Sequence, residues 1–445
     1  MKILLDSLGC DKNLVDSEEM LSVLAEEGYS FTDDPEEAEI YIINTCCFID
    51  SAKEESINAI LEAAKLKETA GVKALVVTGC MAQRYRDELI KEIPEIDAMT
   101  GVGGAETIAD AVLAAVEKTG IDFVKDADKC SNKSRKRLIT TGGLFEYLKI
   151  AEGCNKNCTY CVIPKVRGSY RSYPMEDLVR QAEELASAGV KELIIVAQET
   201  TLYGVDLYGS KQLHVLLEKL CGINGISWIR LLYCYPEEIY PELLDTIASQ
   251  DKICKYLDIP IQHISDDVLK RMHRRTNGDD IRRIVKEIRK RIPDVVLRTT
   301  LISGFPGETD AMHRELLDFV KEYRFERLGV FEYSREEGTP AARMKDQVDP
   351  DTKTRRRDEI MSAQQEISAD HGRDKIGRIM DVIVEGTIPE DGVIVGRTYA
   401  DTPDVDGYVF VESPVEIMTG EIIKVLITGS TEYDLMGEVY YESAE

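Results

Sequence analysis

The feature that most constrains the fold is a repeated alternation of short apolar runs with longer amphipathic stretches. In residues 1–117 three such runs, KILLDSLGC, EIYIINTCCF and KALVVTGCMAQ, are each followed by a helix-like pattern. Short buried strands that alternate with amphipathic helices are typical of a parallel α/β sheet. The first part of the chain is therefore predicted to form a parallel α/β domain.

A cysteine closes each of these three runs: Cys10, Cys46 and Cys80. The carboxyl ends of parallel strands share one edge of a sheet, where ligands bind, so the three thiols are predicted to meet in space. Buried strand-end cysteines without a ligand are the alternative interpretation. Successive side chains on a strand point to opposite faces, so Cys46 and Cys47 cannot easily enter the same site. Cys46 is preferred because NTC ends its apolar run as LGC and TGC end theirs.

The alternation resumes from about residue 146 to residue 335, with six strand-like runs: FEYLKIAEG, ELIIVAQ, WIRLLYCY, YLDIPIQ, VVLRTTLISG and RLGVFEYS. Repeated strand–helix units in this number predict a partial (β/α)6 barrel with its chemistry at the carboxyl edge of the strands. The polar and basic segment 118–139 before it is predicted to be a linker.

The last segment has short alternating strands separated by Gly and Asp turns, which predict a small antiparallel β-barrel of the OB-like kind. A long charged helix over 349–372 precedes it. The predicted organisation is an α/β domain at 1–117, a linker at 118–139, a partial barrel at 140–370 and a small barrel at 371–445.

Composition narrows the function classes. The 445 residues contain no run of eighteen apolar residues, and MKILLDSLGC lacks the apolar region of a signal peptide, so a cytoplasmic protein without membrane contact is expected. Eleven cysteines in that compartment indicate metal or redox use rather than disulfides.

The formal charge of −27 argues against unaided binding to nucleic acid and suits a basic partner. An acidic surface that only keeps the protein in solution is an equal alternative.

The stretch AEGCNKNCTYCVIPKVRG places Cys154, Cys158 and Cys161 just after the first strand of the predicted partial barrel. Structural zinc sites usually take four ligands, whereas an iron–sulfur cluster held by three thiolates leaves one iron free. The CxxxCxxC spacing in this fold context resembles the radical S-adenosylmethionine (SAM) superfamily, in which the free iron chelates the amino and carboxylate groups of SAM. Structural or zinc-binding cysteines remain the alternative.

The resemblance also implies SAM contacts. Tyr160 fits the superfamily's aromatic position before the third cysteine, close to the adenine. The turn ISGFPGET, with Gly304, Gly307 and Glu308, resembles the SAM-contacting segment of the superfamily. Glycines at such a place let the backbone approach a ligand closely.

Polar residues at the ends of the second and fourth barrel strands are further candidates for contacts with SAM or substrate: Gln198, Glu199, Gln262 and His263. The alternative is that each is a strand-end residue satisfied by hydrogen bonds within the protein.

Two cysteine triads on consecutive α/β domains, followed by a small barrel, resemble the methylthiotransferases of the radical SAM superfamily from end to end. Their N-terminal cysteines stand in LGC, NTC and TGC contexts, all present here, and their C-terminal module is the TRAM domain. The resemblance implies SAM and two 4Fe–4S clusters, one on Cys10, Cys46 and Cys80 and one on the CxxxCxxC motif, with no catalytic residue beyond the cluster ligands. NTCCF departs from the family pattern, in which Gly commonly follows the cysteine.

One branch of this family modifies adenosines in transfer RNA, and the other modifies an aspartate of small-subunit ribosomal protein twelve. KNLVDSE (12–18) and GRTYADTPDVDGYVFV (396–411) resemble the protein-modifying branch, since the tRNA enzymes typically read MNxxDSE. Residues 371–445 carry 5 Lys/Arg against 16 Asp/Glu, a poor surface for RNA phosphates but an attractive one for a basic ribosomal protein. The tRNA-modifying activity is the alternative.

One basic stretch argues for a nucleic-acid substrate instead. Residues 270–291 hold 10 basic and 3 acidic side chains, which could form a nucleic-acid patch, for tRNA or for ribosomal RNA beside the target. A solvated helix face is the preferred interpretation.

The resemblance implies a reaction in which a 5′-deoxyadenosyl radical removes hydrogen from the β-carbon of the target aspartate, and the carbon then takes a methylated sulfur from the N-terminal cluster. A second SAM supplies the methyl group, and an electron donor such as flavodoxin or ferredoxin is expected.

Two alternatives to this function are an iron–sulfur electron carrier or scaffold and a radical SAM enzyme with a zinc-binding N-terminal domain. No role is assigned to five further cysteines: Cys47, Cys130, Cys221, Cys234 and Cys254.

Overall fold

The computed structural model describes residues 1–133, 135–388, 392–413 and 415–441. Within these ranges the chain forms two parallel sheets, a closed β-barrel and a short two-stranded ribbon. The predicted α/β class is confirmed, with a parallel sheet in each of the first two parts and a barrel in the third.

The N-terminal sheet has the order β2-β1-β3-β4-β5, and all its strand pairs run parallel. Its strands are β1 (Lys2–Ser7), β2 (Ser30–Phe31), β3 (Ile40–Thr45), β4 (Ala74–Thr78) and β5 (Ala98–Met99). Its helices are α1 (Asp11–Glu26), α2 (Asp50–Thr69), α3 (Gly79–Arg84), α4 (Arg86–Glu92) and α5 (Ile108–Glu117). Because β1, β3 and β4 are adjacent, the turns that follow them lie side by side.

The central sheet has the order β13-β12-β11-β10-β9-β6, parallel throughout and open at its edges, as a partial barrel requires. The strands of this part are β6 (Phe145–Lys149), β7 (Ala151–Glu152), β8 (Arg171–Ser172), β9 (Glu192–Val196), β10 (Trp228–Leu231), β11 (Ile253–Asp258), β12 (Val296–Ser303) and β13 (Arg327–Glu332). Strands β7 and β8 form the ribbon.

The helices of the central part are α6 (Ile163–Val166), α7 (Met175–Ser187), α8 (Val205–Tyr208), α9 (Leu213–Cys221), α10 (Pro241–Ser249), α11 (Asp266–Arg271), α12 (Gly278–Arg291), α13 (Asp310–Tyr323) and α14 (Pro350–Arg373). Short 3-10 turns occur at Gly104–Glu106, Ala127–Lys129, Pro236–Glu238 and Ala341–Arg343. The predicted boundary at residue 371 falls in the last turn of α14.

Side-chain alternation explains how the partial barrel divides its two faces. On β9, Leu193 and Ile195 pack with the surrounding helices, whose buried positions recur at helical spacing, as Leu178, Ala182 and Leu185 do on α7. Ile194 of the same strand points to the concave face instead. The concave face is therefore available to another part of the chain.

The C-terminal barrel is closed, in the order β14-β15-β16-β18-β17. Its strands are β14 (Ile379–Ile388), β15 (Val393–Arg397), β16 (Val409–Glu412), β17 (Ile422–Ser430) and β18 (Leu435–Val439). Four adjacent pairs are antiparallel, whereas β16 and β18, which close the barrel, run parallel. The barrel core is made of branched aliphatic side chains, as the alternating pattern predicts.

The small barrel packs onto the concave face of the partial barrel. Ile383 and Ala400 share an apolar cluster with side chains of β9 and its neighbours. Arg397 pairs with the fully buried Glu192 at 2.8 Å, and the Tyr256 hydroxyl donates to Asp406 at 2.7 Å. Part of the acidic run at 396–411, which resembles the protein-modifying branch, is therefore engaged in contacts within the molecule.

The segment predicted as a linker is partly buried. The Arg137 side chain is 1% exposed and pairs with Glu18 of α1 and Glu146 of β6, while the Thr140 amide donates to Glu18 at 2.8 Å. This segment joins the N-terminal and central sheets through buried ion pairs. The boundaries 118–139 stay a prediction.

Candidate active site: two cysteine triads

The compact triad, Cys154, Cys158 and Cys161, lies in the loop between β7 and α6. The Lys156 amide donates to the Cys154 sulfur and the Ile163 amide to the Cys161 sulfur, both at 3.4 Å. Burial raises the pKa of Cys154 to about 11 and that of Cys161 to about 12, and the amides oppose the rise. Amide donors aimed at sulfur prepare these side chains to be held as thiolates by a metal cluster.

The polypeptide around the compact triad is folded tightly on itself. Gly153 adopts a φ of +77°, and a Cβ there would lie 2.2 Å from the Ser169 carbonyl oxygen, so only glycine fits. The Cys154 amide donates to the Gly168 carbonyl at 3.1 Å. These contacts hold the start of the cysteine loop against residues 168–169, which follow α6.

The dispersed triad consists of Cys10, Cys46 and Cys80, which follow β1, β3 and β4. Gly9, with a φ of +92°, passes so close to Cys46 that a Cβ there would lie 2.9 Å from its sulfur. Burial raises the pKa of Cys80, and the thiols of Cys47, Cys10 and Cys46 all lie near enough to add to the rise. The structure thus brings together three cysteines that are far apart in sequence, at the sheet edge where they are expected.

Cys47 is also buried and close to this triad. Burial raises its pKa to about 11, and the nearby Arg84 charge opposes the rise. Its carbonyl accepts a hydrogen bond from Arg84 at 3.2 Å. The close approach of Gly9 to Cys46 favours Cys46 as the third member, which stays a prediction.

Arg167 connects the two triads, although no pattern in the sequence singles it out. Its guanidinium, 1% exposed, donates to both carboxylate oxygens of Glu152 at 3.0 Å and reaches Asp16 of α1, also at 3.0 Å. It also donates to the Asn13 side chain, whose oxygen lies 3.8 Å from the Cys80 sulfur. A cation six residues after Cys161 therefore stands beside the dispersed triad.

The N-terminus of α1 meets the carboxyl edge of β10. The Tyr233 hydroxyl donates to Asp11 at 3.2 Å, and the Lys12 ammonium lies 3.3 Å from the centre of the Tyr233 ring. Tyr233 has a positive φ of 60°, a strained conformation for a non-glycine residue. These residues line the join between the two domains next to Cys10.

The candidates after β9 are buried and incompletely hydrogen-bonded. Gln198 donates to Glu152 at 2.7 Å, while its side-chain oxygen has no partner among the described residues. Glu199 is fully buried with one oxygen likewise unpartnered, and burial raises its pKa to about 8. Both side chains retain capacity for a ligand.

The turn after β12 is held by hydrogen bonds among its own residues. One Glu308 oxygen accepts from the amides of Gly304 at 2.5 Å and Phe305 at 3.2 Å, so this residue shapes the turn. Gly304 and Gly307 both have positive φ, and a Cβ on either would collide with a neighbouring side chain. These glycines are needed for the turn itself, and their SAM contact stays a prediction.

Three other candidates have different surroundings. Gln262 has a positive φ of 69° and continues the pairing beyond β11, since its amide donates to Thr300 at 2.9 Å. His263 is fully buried, and one ring nitrogen accepts from the Ser265 amide at 3.0 Å. Tyr160 packs edge-on against Phe305 with ring centres 6.4 Å apart. The structure places all three near the carboxyl edge of the central sheet.

Each triad supplies three thiols, the donor set of an iron–sulfur cluster that leaves one iron free. Among the residues that the structure describes, no group of three or more His, Cys, Asp and Glu side chains could hold one metal ion. A 4Fe–4S cluster spreads its thiolate ligands over separate irons, so it needs a wider arrangement. Buried polar atoms without partners on Gln198 and Glu199 show that the compact-triad site has unmet capacity.

Three family models match the chain. The model described as Uncharacterized protein family UPF0004 covers residues 2–101, the Radical SAM superfamily model covers 148–320, and the TRAM domain model covers 376–439. Among curated relatives, the ribosomal protein uS12 methylthiotransferase RimO of Lachnoclostridium phytofermentans is 54% identical over 98% of this chain and 99% of its own. The protein of the same name from Clostridioides difficile is 49% identical over 100% of both chains.

The chain belongs to the RimO family of radical SAM methylthiotransferases.

Solved structures agree on the fold. The radical SAM methyltransferase TsrM of Kitasatospora setae, with tryptophan and a SAM analogue bound, gives a TM-score of 0.59 at 14% identity, over 85% of this chain and 78% of that one. A second TsrM structure, with cobalamin and a [4Fe–4S] cluster, gives 0.57 at 16% identity, over 76% and 73%.

Family membership confirms the enzyme class and the cofactors. The chain is a radical SAM enzyme that transfers a sulfur-containing group, and its cofactors are SAM and 4Fe–4S clusters. Among the described residues, no helix has the length and apolar character needed to cross a membrane.

Proposed function

We propose that this RimO-family chain adds a methylthio group to the β-carbon of an aspartate in ribosomal protein uS12. The observation that carries the proposal is the full-length similarity to curated uS12 methylthiotransferases, 54% identical over 98% of the chain. The convergence of two cysteine triads at the join of two parallel sheets supports it, because the reaction needs SAM cleavage and sulfur delivery at one place.

Each triad has a separate task in this proposal. Cys154, Cys158 and Cys161 would hold one cluster and Cys10, Cys46 and Cys80 the other. When bound, the clusters and SAM supply reductive SAM cleavage and a methylated sulfur. The protein binds and orients these groups and excludes water.

Several residues of the chain would support that task. Arg167 holds the compact-triad loop against α1 through Glu152 and Asp16, so the separation between the two triads is fixed by buried ion pairs. The raised pKa of Glu199 keeps this carboxyl protonated near neutral pH, so it does not place a negative charge beside Cys154. Tyr160, Gln198, Glu199, Gln262, Gly304 and Gly307 are the proposed SAM contacts.

The remaining expectations also belong to the proposal. The electron donor is of the flavodoxin or ferredoxin class, the location is the cytoplasm, and the domain boundaries are those predicted from the sequence. The acidic small barrel would present the basic substrate protein, since 16 of its residues are Asp or Glu and 5 are Lys or Arg.

Mass spectrometry tests the substrate. A strain without this gene should lack the methylthio group on the uS12 aspartate and keep its methylthiolated adenosines in digested tRNA. The intact gene and Cys221→Ala, a variant of a cysteine with no assigned role, should restore the uS12 modification, whereas Cys158→Ala should not. Loss of the tRNA modification with uS12 unaffected would contradict the proposal and establish the tRNA activity instead.

A further inference from the structure

Arg274 is a buried cation with unmet hydrogen-bonding capacity. It lies between α11 and α12, and 8% of its surface is exposed. Its Nη2 donates to the Pro260 carbonyl at 2.9 Å, whereas Nε and Nη1 are buried and have no partner among the residues that the structure describes. Within the described ranges no carboxylate forms an ion pair with it. The preferred interpretation of residues 270–291 as a solvated helix face is therefore wrong for this residue.

Burying a guanidinium with two N–H groups that lack acceptors lowers the stability of the fold unless another group supplies those acceptors. The Glu237 carboxylate attracts Arg274 only from beyond ion-pair distance. A buried guanidinium without a directly paired counter-charge loses its hydration, and each unpaired N–H adds a further penalty. The guanidinium lies 4.5 Å from the centre of the Tyr235 ring, which offsets part of the cost. The ring face does not accept the two in-plane N–H groups. An anionic acceptor is therefore expected at this position.

The chain fixes Arg274 against the compact triad. Three hydrogen bonds join the segment 271–273 to the two residues that flank Cys158. They are Thr159 N to Met272 O at 3.0 Å, Thr159 Oγ1 to Arg271 O at 2.8 Å, and His273 Nδ1 with Asn157 O at 3.0 Å. Arg274 is the next residue along, so its place beside Cys158 is set by the backbone.

We propose that Arg274 is the internal counter-ion of the cluster held by the compact triad, with Nε–H and Nη1–H donating to its sulfur atoms. This inference rests on the proposed assignment of that cluster to Cys154, Cys158 and Cys161. A buried positive charge stabilises the more negative, reduced state of a cluster more than the oxidised state. Arg274 therefore raises the reduction potential of the cluster and makes its reduction easier.

The test measures the cluster's midpoint potential by electron paramagnetic resonance during a redox titration without SAM. The full-length chain carries Cys10→Ala, Cys46→Ala and Cys80→Ala, so that one cluster remains. In this background Arg274→Gln should lower the equilibrium constant for reduction at least about tenfold, equivalent to about 59 mV for a one-electron couple. Arg274→Lys, which keeps the charge, should restore most of the potential.

Arg275→Gln is the matched control, because Arg275 is the adjacent arginine and is exposed. It removes the same charge from the chain and should leave the potential unchanged. Iron per chain, measured in every sample, shows whether the cysteine loop is intact. If Arg274→Gln loses iron, retention of iron and potential by Arg274→Lys still supports the counter-ion role, whereas loss of iron in both variants indicates a packing role and overturns it.

The other outcomes are equally decisive. An unchanged potential in Arg274→Gln with four irons overturns the proposal. The same result with weakened SAM binding, measured by equilibrium dialysis, would assign Arg274 to the SAM carboxylate instead. If the chain that still has Arg274 holds no iron, the cluster assignment itself fails, and this result is separate from any property of Arg274.

Discussion

Burial sets the chemistry of Glu199. It raises the pKa of this carboxyl to about 8, against an ordinary value of 4.5, and the hydrogen bonds from Thr201 and the charge of Lys156 only partly oppose the effect. Glu199 is therefore protonated at neutral pH in the folded protein and ionised in the unfolded chain. This difference couples folding to pH.

The predicted effect is a loss of stability with rising pH. Between the ordinary value and about 8, the folded state keeps a proton that the unfolded state has released, so each pH unit costs about 1.4 kcal/mol. Wild type should lose stability relative to Glu199→Gln from pH 6 to about pH 8, and the difference should level off above that. Urea unfolding of the cluster-free protein across this range measures it.

Glu218→Gln is the control, since Glu218 is exposed on α9. Its unfolding free energy should follow that of wild type at every pH. A constant difference between wild type and Glu199→Gln from pH 6 to 8 would show that Glu199 titrates normally.

Single charged residues are also where the sequence is least informative. Arg167 and Arg274 look like ordinary surface arginines in the sequence, yet both are buried. The partners of Arg167 include Asp16, about 150 residues earlier, and no local sequence pattern predicts a pair so far apart. By contrast, the spacing of Cys154, Cys158 and Cys161 is local, so the sequence alone could predict a common loop.

Among the elements, the turn from β1 to α1 carries the strictest local requirement. Gly9 has a φ of +92°, and a Cβ there would lie 2.6 Å from the Cβ of Cys46. Gly9→Ala should therefore displace Cys46 and lower the iron bound after reconstitution from about eight to about four per chain. Iron analysis with protein quantitation by amino-acid analysis checks this.

Gly28→Ala separates steric conflict from backbone strain. Gly28 has a similar φ of +86°, but no atom of the described part of the chain lies within 4 Å of the position that an added Cβ would take. The variant therefore carries the strain without the collision. Iron content should remain at the wild-type level in Gly28→Ala. Equal iron loss in both variants would mean that the close approach of Gly9 to Cys46 does not matter.

Periodicity predicted most elements because buried strands and amphipathic helices leave local signals. Five of the six central strands and helices α1, α2, α7, α12 and α14 lie where the patterns indicate them, whereas β11 (Ile253–Asp258) begins and ends earlier than the predicted run YLDIPIQ at 256–262. The two-residue strands β2 and β5 are too short to leave such a signal. The sequence of helix α1 does not reveal all of its contacts, because the helix buries polar residues of the KNLVDSE run against the central sheet. Those charges look solvent-facing until their partners are known.

On the scale of the whole molecule, the formal charge of −27 should govern encounter with the basic substrate. Asp401 and Asp406 are buried against Arg327, and Asp406 also lies near Arg298, so steering depends on the other acidic residues. Raising the salt concentration from about 50 to 500 mM should slow association with purified uS12 at least tenfold. Stopped-flow fluorescence measures the rate.

Sucrose at matched osmolality is the control for that experiment and should change the association rate only through viscosity. An association rate that does not depend on salt would contradict electrostatic steering and would leave the acidic surface without a role in substrate capture.

The proposed chemistry depends most on two independent clusters, and iron per chain after anaerobic reconstitution tests this most directly. Wild type should bind about eight irons, and replacement of either cysteine triad by alanine should leave about four. Cys221→Ala, outside both triads, should match wild type. A fall to zero iron when only Cys154, Cys158 and Cys161 are replaced would contradict the two-cluster assignment, because the dispersed triad would then not be a site of its own.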